Sequence, residues 1–289
     1  MDTKVITLGD YYRMTQGGIR LMRSTRLEFL IVDPQNDFCD PKGTLYVPGA
    51  REDALRLADT IKRLRDKISH ISVTLDTHRL IDIAHPIFWV DTEGKHPDPY
   101  TLITKEDLKK GLWHTTIPDH MERASLYVEE LEKNDRYVLC IWPPHCLIGS
   151  WGHCIAKPVY DALLEWEDNF SLVDYTLKGL NIWTEHYSAL KADVEDPEDP
   201  ATGLNEKLIK RLREADIIAI SGQALSHCVA NSVRDLADNS KEEDIKKLVL
   251  LTDTTSSVKG FEKLGEDFVR EMTGRGMPVC TADKFGRDI

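Results

Sequence analysis

The stretch ADIIAISGQALSHCVANSVRDLADN, residues 215–239, decides the fold. Its first eight residues form a short apolar run that stops at a glycine, the pattern of a buried strand. From Cys228 to Asn239 the apolar residues return at helical spacing, as on a helix with one face against a sheet. A strand therefore feeds a helix through a short turn, and the turn delivers a thiol.

The same grammar repeats on both sides. LEFLIVD (27–33), HISVTLD (70–76), YVLCIWP (137–143), FSLVDYTLK (170–178) and KKLVLLTD (246–253) read as buried strands, rich in aliphatic and β-branched residues. Amphipathic helices are expected over residues 51–67, 155–167, 205–215 and 260–273. Strand–helix alternation of this kind predicts an α/β fold, a doubly wound, Rossmann-like parallel sheet of about six strands with helices on both faces. In such sheets, ligands bind beyond the carboxyl ends of the strands.

Two regions fall outside the alternation. Residues 1–25 read as an N-terminal extension, and 26–289 as a single domain. Within it, residues from about 80 to 135 are polar, proline-bearing and too long for a plain loop, so they read as an insertion over the site or at an oligomer contact. The acidic DVEDPEDP run (193–200) reads as a solvated loop.

Bulk composition narrows the partners. The chain has 289 residues and 41% hydrophobic content, enough for a full core. A formal net charge of -12 argues against nucleic acid or an anionic membrane as partner. No apolar run approaches membrane-spanning length and no secretory signal is visible, so a cytoplasmic setting is expected. The six cysteines form no Cys-x-x-Cys pair and no disulfide framework.

Reactive side chains gather where the predicted strands end: Asp33, Asp76, His145, Lys178 and Cys228. At a helix amino terminus, free N–H groups and the helix dipole would lower the Cys228 pKa and cradle an oxyanion. A nearby Asp and Lys would supply a proton acceptor and a supporting positive charge. Asp76, His78 and His145 form a two-His, one-carboxylate set suited to zinc, iron or manganese. By itself that set also suits a non-haem iron oxygenase, a chemistry that usually sits on β-rich barrels. Phe38 and Trp142 read either as core or as aromatic walls for a planar substrate. His85, His114, His120 and His153 read as surface or packing residues, and His227 as a pocket or surface residue.

Four motifs in order resemble the isochorismatase-like cysteine hydrolases. They are VDPQNDFCDPKGTLYVPGA (32–50), KGLNIWTEHYSAL (178–190), SGQALSHCVANSVRDL (221–236) and LLTDTTSSV (250–258). The resemblance implies a Cys228–Asp33–Lys178 triad, a cis peptide near Gln223–Ala224, and an oxyanion hole from the N–H groups of Ala224 and Cys228. Asp76-x-His78 with Trp142-Pro143-Pro144-His145-Cys146 is similar to the nicotinamidase branch. There a divalent metal, usually zinc, would hold the pyridine nitrogen, and the substrate would be a small-molecule amide. Homo-oligomers are common in the family. Thr77, Arg79, Leu190 and Leu225-Ser226-His227 depart from its usual residues, and all of these bear on the pocket walls. Another small amide or ureide as substrate, and a non-catalytic interaction protein, are the competing expectations.

Overall fold

A computed structural model describes residues 25–133 and 137–287. Most of the expected N-terminal extension, residues 1–24, lies outside them.

The centre is a six-stranded parallel sheet. Its strands are β1 (Leu27–Val32), β2 (Ile68–Asp76), β3 (Asp174–Lys178), β4 (Ile217–Gly222), β5 (Leu248–Leu251) and β6 (Val279–Cys280). Their spatial order is β6-β5-β4-β1-β2-β3, with every neighbouring pair parallel. The order therefore reverses direction between β1 and β4. At such a switch point the loops leaving two adjacent strands diverge and leave a crevice.

The helices match the sequence pattern to within a few residues: α1 (Ala50–Leu64), α2 (Lys157–Glu167), α3 (Glu206–Arg213), α4 (Ala230–Asp238) and α5 (Glu262–Gly274). α1 buries Ala54, Leu57, Ala58, Ile61 and Leu64, the apolar stripe read from the sequence. β1 is buried at all six positions, because a central strand is covered on both faces.

Two expectations need correction. Residues 137–143 do not join the main sheet; Leu139–Cys140 pairs antiparallel with Leu102–Ile103 in a separate ribbon. The sixth place is taken by the two-residue β6, too short to show in a periodicity reading. The helical turns that bear the nucleophile candidate also begin earlier than expected, at Leu225 rather than Cys228. A wide π turn over Leu225–Val229 precedes α4, so Cys228 lies inside that turn.

The 80–135 region folds around its own short elements, a Trp89–Val90/His114–Thr115 ribbon and a helix over Met121–Lys133. Trp89, Ile103, Ala124 and Val128 join the same continuous core as the sheet. The acidic run is anchored rather than merely solvated. Asp196 pairs with Arg123 at 2.6 Å and accepts from Asn181 at 2.8 Å.

Candidate active site

The carboxyl ends of β1 to β4 bring four of the expected reactive groups to the switch point. Asp33 follows β1 in a left-handed backbone conformation (φ 43°). Its Oδ1 accepts from the Thr74 hydroxyl on β2 at 2.5 Å. Gln35 ties the same two strand ends together, donating to the Asp76 carbonyl and accepting the Asp76 N–H, both at 2.7 Å.

Lys178, the last residue of β3, lies at the centre. Its Nζ is 2.9 Å from Asp33 Oδ2, 2.9 Å from Asp76 Oδ1 and 3.5 Å from Cys228 Sγ. All four groups are buried. Burial disfavours the ammonium, but Asp33, Asp76 and Cys228 outweigh it and hold the Lys178 pKa well above its ordinary value. Burial raises the Asp33 pKa, with Lys178 opposing and Asp76 reinforcing the rise.

Cys228 departs from the expectation of a lowered pKa. Burial pushes its thiol well above the usual range; Lys178 opposes this, and the two carboxylates add to it. A buried thiolate beside two carboxylates is costly, and one ammonium does not compensate. The resting group is a thiol. The peptide before Ala224 is cis, at the bond the motif resemblance implied. Ser232 on α4 accepts the Ala189 N–H at 2.9 Å and donates to the Cys228 carbonyl at 2.6 Å, joining the lysine motif to the cysteine turn.

The expected metal set also assembles. Asp76 Oδ2 is 3.1 Å from His78 Nε2 and 3.2 Å from His145 Nε2. The three ligand atoms lie within 4.8 Å of one another. His145 reaches this place because its loop pairs with the His78 segment: the His78 N–H donates to the Cys146 carbonyl at 3.1 Å, and the Ile148 N–H to the His78 carbonyl at 3.0 Å.

The donor set suits a cation. His78 Nδ1 is 3.1 Å from Asp82 and His145 Nδ1 is 2.9 Å from the Pro143 carbonyl. Those bonds turn both Nε2 atoms toward Asp76, the arrangement that outer partners impose on metal-binding imidazoles. His78 Nε2 is buried with no hydrogen-bond partner. Burial disfavours a charged His78, yet Asp76 and Asp82 outweigh it and raise its pKa well above normal.

Three residues that the sequence reading did not single out as site groups lie here. Asp82 is fully buried against His78. Glu185, whose Oε1 is 3.8 Å from His78 Nε2, has its pKa pushed up to about 7, chiefly by burial. His85, read as a packing residue, has its ring centroid 5.3 Å from that of His78 and 5.6 Å from that of His145.

Beside these groups is a small cavity of about 30 Å³, bordered by Phe38, Trp142, His145, Tyr187, His227 and Cys228 among others. The Trp142 indole N–H donates to the Tyr187 hydroxyl at 2.9 Å, which stiffens one wall.

No family model matches the chain. It is 27% identical over 202 residues to the nicotinamidase of Saccharomyces cerevisiae, covering 69% of this chain and 76% of that one. Among solved structures, the yeast nicotinamidase bound to the inhibitor nicotinaldehyde superposes with a TM-score of 0.62 at 19% identity, over 88% of this chain and 99% of that one. The pyrazinamidase of Pyrococcus horikoshii in complex with zinc gives 0.52 at 17% identity, over 89% and 99%. The chain thus shares the α/β fold of these nicotinamidases and pyrazinamidases and is similar in sequence to the yeast nicotinamidase.

Proposed function

We propose that the chain is a cysteine amidohydrolase that cleaves a small carboxamide, with nicotinamide giving nicotinate and ammonia as the favoured reaction. The observation that carries this reading is the placement of Lys178 Nζ within 2.9 Å of Asp33 and Asp76 and 3.5 Å of Cys228 Sγ, beside an aromatic-walled cavity.

In this reading Asp33 takes the Cys228 proton as the sulfur forms its bond to the amide carbon. The raised Asp33 pKa suits it to that role, since a stronger base accepts a thiol proton more readily. Lys178 stays charged and offsets the negative charge that moves between the two. The N–H groups of Ala224 and Cys228 receive the oxyanion. As the carbon–nitrogen bond breaks, Asp33 returns the proton to the departing ammonia. Water then gives a proton to Asp33 and adds to the thioester carbon, and the carbon–sulfur bond breaks to release the acid and restore the thiol.

Asp76, His78 and His145 would hold a divalent metal. Zinc suits the two imidazoles and one carboxylate best, and iron or manganese fits the same donors. Such an ion supplies a Lewis-acidic anchor for a pyridine nitrogen. Phe38 and Trp142 would flank the ring. A single domain spanning 26–289, with the 80–135 insertion contributing to the site wall, a cytoplasmic setting and a homo-oligomeric state complete the proposal.

Ammonia release from nicotinamide by the purified, metal-analysed protein tests the reading, with Cys228→Ala as control. Release that depends on Cys228 is expected. Full activity in Cys228→Ala would remove the mechanism. Inactivity on nicotinamide alongside turnover of another amide in a panel would move the substrate and keep the chemistry.

A further inference from the structure

The sheet ends on one side at β3, and among the described residues no strand covers that edge. Among the described residues β3 pairs only with β2, and its burial alternates, with Tyr175 and Leu177 about half exposed on one face. The end of α2 lies beside the start of β3: the Val173 N–H donates to the Glu167 carboxylate at 3.0 Å. α2 buries Val159, Ala162, Leu163 and Trp166 inward, yet leaves Tyr160 and Leu164, one turn apart, nearly half exposed. The turn between α2 and β3 adds Phe170, 103% exposed, and Leu172, 79% exposed.

These six exposed side chains stand on the edge strand, on the helix that precedes it and in the turn that joins the two. Together these six residues expose on the order of 800 Å², in the range where exposed apolar surface marks an interaction site. That is also about the area each partner gives up in a standard protein interface. Ion pairs flank these residues, Lys157–Asp161 at 2.7 Å and Lys62–Glu165 at 2.6 Å, so the surface has the apolar centre and charged rim of an interface. An unguarded edge strand is a template for another strand, and the 175–177 segment has no Pro, Lys or Glu to deter pairing.

We propose that two copies of this chain dock through the β3 edge and the outer face of α2, with the two β3 strands antiparallel about a two-fold axis at Thr176. A second copy is the occupant that the edge itself specifies. A strand running antiparallel to its own image is self-complementary under a two-fold rotation. With the axis at Thr176, Tyr175 of each copy lies opposite Leu177 of the other, so the apolar face continues unbroken across the junction. The two sheets then join into one of twelve strands, and the lysine at the end of β3 lies close to the interface. The proposal names the surface for the homo-oligomer part of the functional reading and is independent of the reaction chemistry.

Light scattering on the full chain during gel filtration tests it, over roughly 1 to 100 µM so that mass action is visible. Twice the chain mass is expected. Leu164→Glu with Leu172→Glu changes two exposed positions and should raise the dimer dissociation constant by about 100-fold or more, with circular dichroism confirming the fold. In a Cys154→Ser background, Thr176→Cys should form a disulfide dimer on mild oxidation, since facing residues of antiparallel strands are about 4.5–5.5 Å apart. A monomer across the whole range, a dimer indifferent to the glutamate pair, or absence of the cross-link would each overturn the proposal. A monomer that still releases ammonia removes only the docking surface; an inactive dimer removes only the reaction.

Discussion

Cys228 keeps its proton in the resting site because its neighbours already carry the negative charge that a thiolate would add. Asp33 and Asp76 both contact Lys178, and that one ammonium serves two carboxylates before it serves the sulfur. The raised thiol pKa leaves little thiolate at neutral pH, and the thiolate fraction grows as pH rises. Alkylation of Cys228 by iodoacetamide, followed by peptide mass spectrometry, should therefore be at least about tenfold slower at pH 7 than that of the exposed Cys154. It should accelerate up to pH 9 and beyond. A rate that is flat from pH 6 to 9 would mean a resting thiolate and would move the first proton transfer out of the mechanism. Asp33 and Lys178 were legible as residues because each ends an apolar run. The direction of the Cys228 shift was not, since it depends on how many carboxylates share one ammonium.

At the scale of elements, the junction of β1 and β4 sets the geometry of the cysteine turn. Gly222 pairs with Val32 across that junction at φ 112°. A Cβ there would sit 1.9 Å from the Val32 carbonyl oxygen and 2.6 Å from its nitrogen. Val32 is fully buried in a central strand, so it has nowhere to retreat. Just past Gly222, the Gln223 amide donates to Asp53 of α1 at 3.1 Å, and the Ser256 hydroxyl donates to the same carboxylate oxygen at 2.6 Å. That network holds the segment leading to Cys228. Gly222→Ala should lower stability by roughly 3 kcal/mol through combined backbone strain and overpacking. Urea unfolding measures it, and a midpoint equal to that of the unsubstituted protein would show that the two central strands can separate at this point. The glycine was visible in the sequence as the end of an apolar run; the strand that crowds it was not.

For the molecule as a whole, the switch point and the insertion act together. Strand order opens the crevice, and the segment that follows the insertion returns His145 to Asp76 and His78. Asp76, Asp82 and Glu185 bring three carboxyl groups into a buried region around His78. A bound divalent cation stabilises the folded state, which preorganises these ligands, over the unfolded chain. Stripping the metal with a chelator should lower the melting temperature by roughly 5–10 °C, and restoring zinc should recover it. Scanning calorimetry with metal analysis checks this. An unchanged melting temperature in protein shown to have lost a bound metal would mean that the cluster does not need the ion to fold.

The sequence alone determined the strand and helix periods, the residue at the end of each strand, and the ordered motifs that link Asp33, Lys178 and Cys228. Those are local properties: apolar spacing reports burial, and a reactive group at a strand end stays there however the strands are paired. Only the tertiary structure decided which strands are neighbours. Residues 137–143 and the true sixth strand were misassigned because a short apolar run looks alike in a central sheet and in a side ribbon. It also decided that Asp82, His85 and Glu185 meet at His78, since the chain between and around them must fold before their proximity exists. The β3 edge belongs to the same class, because an edge is a property of the assembled sheet and no single strand carries it.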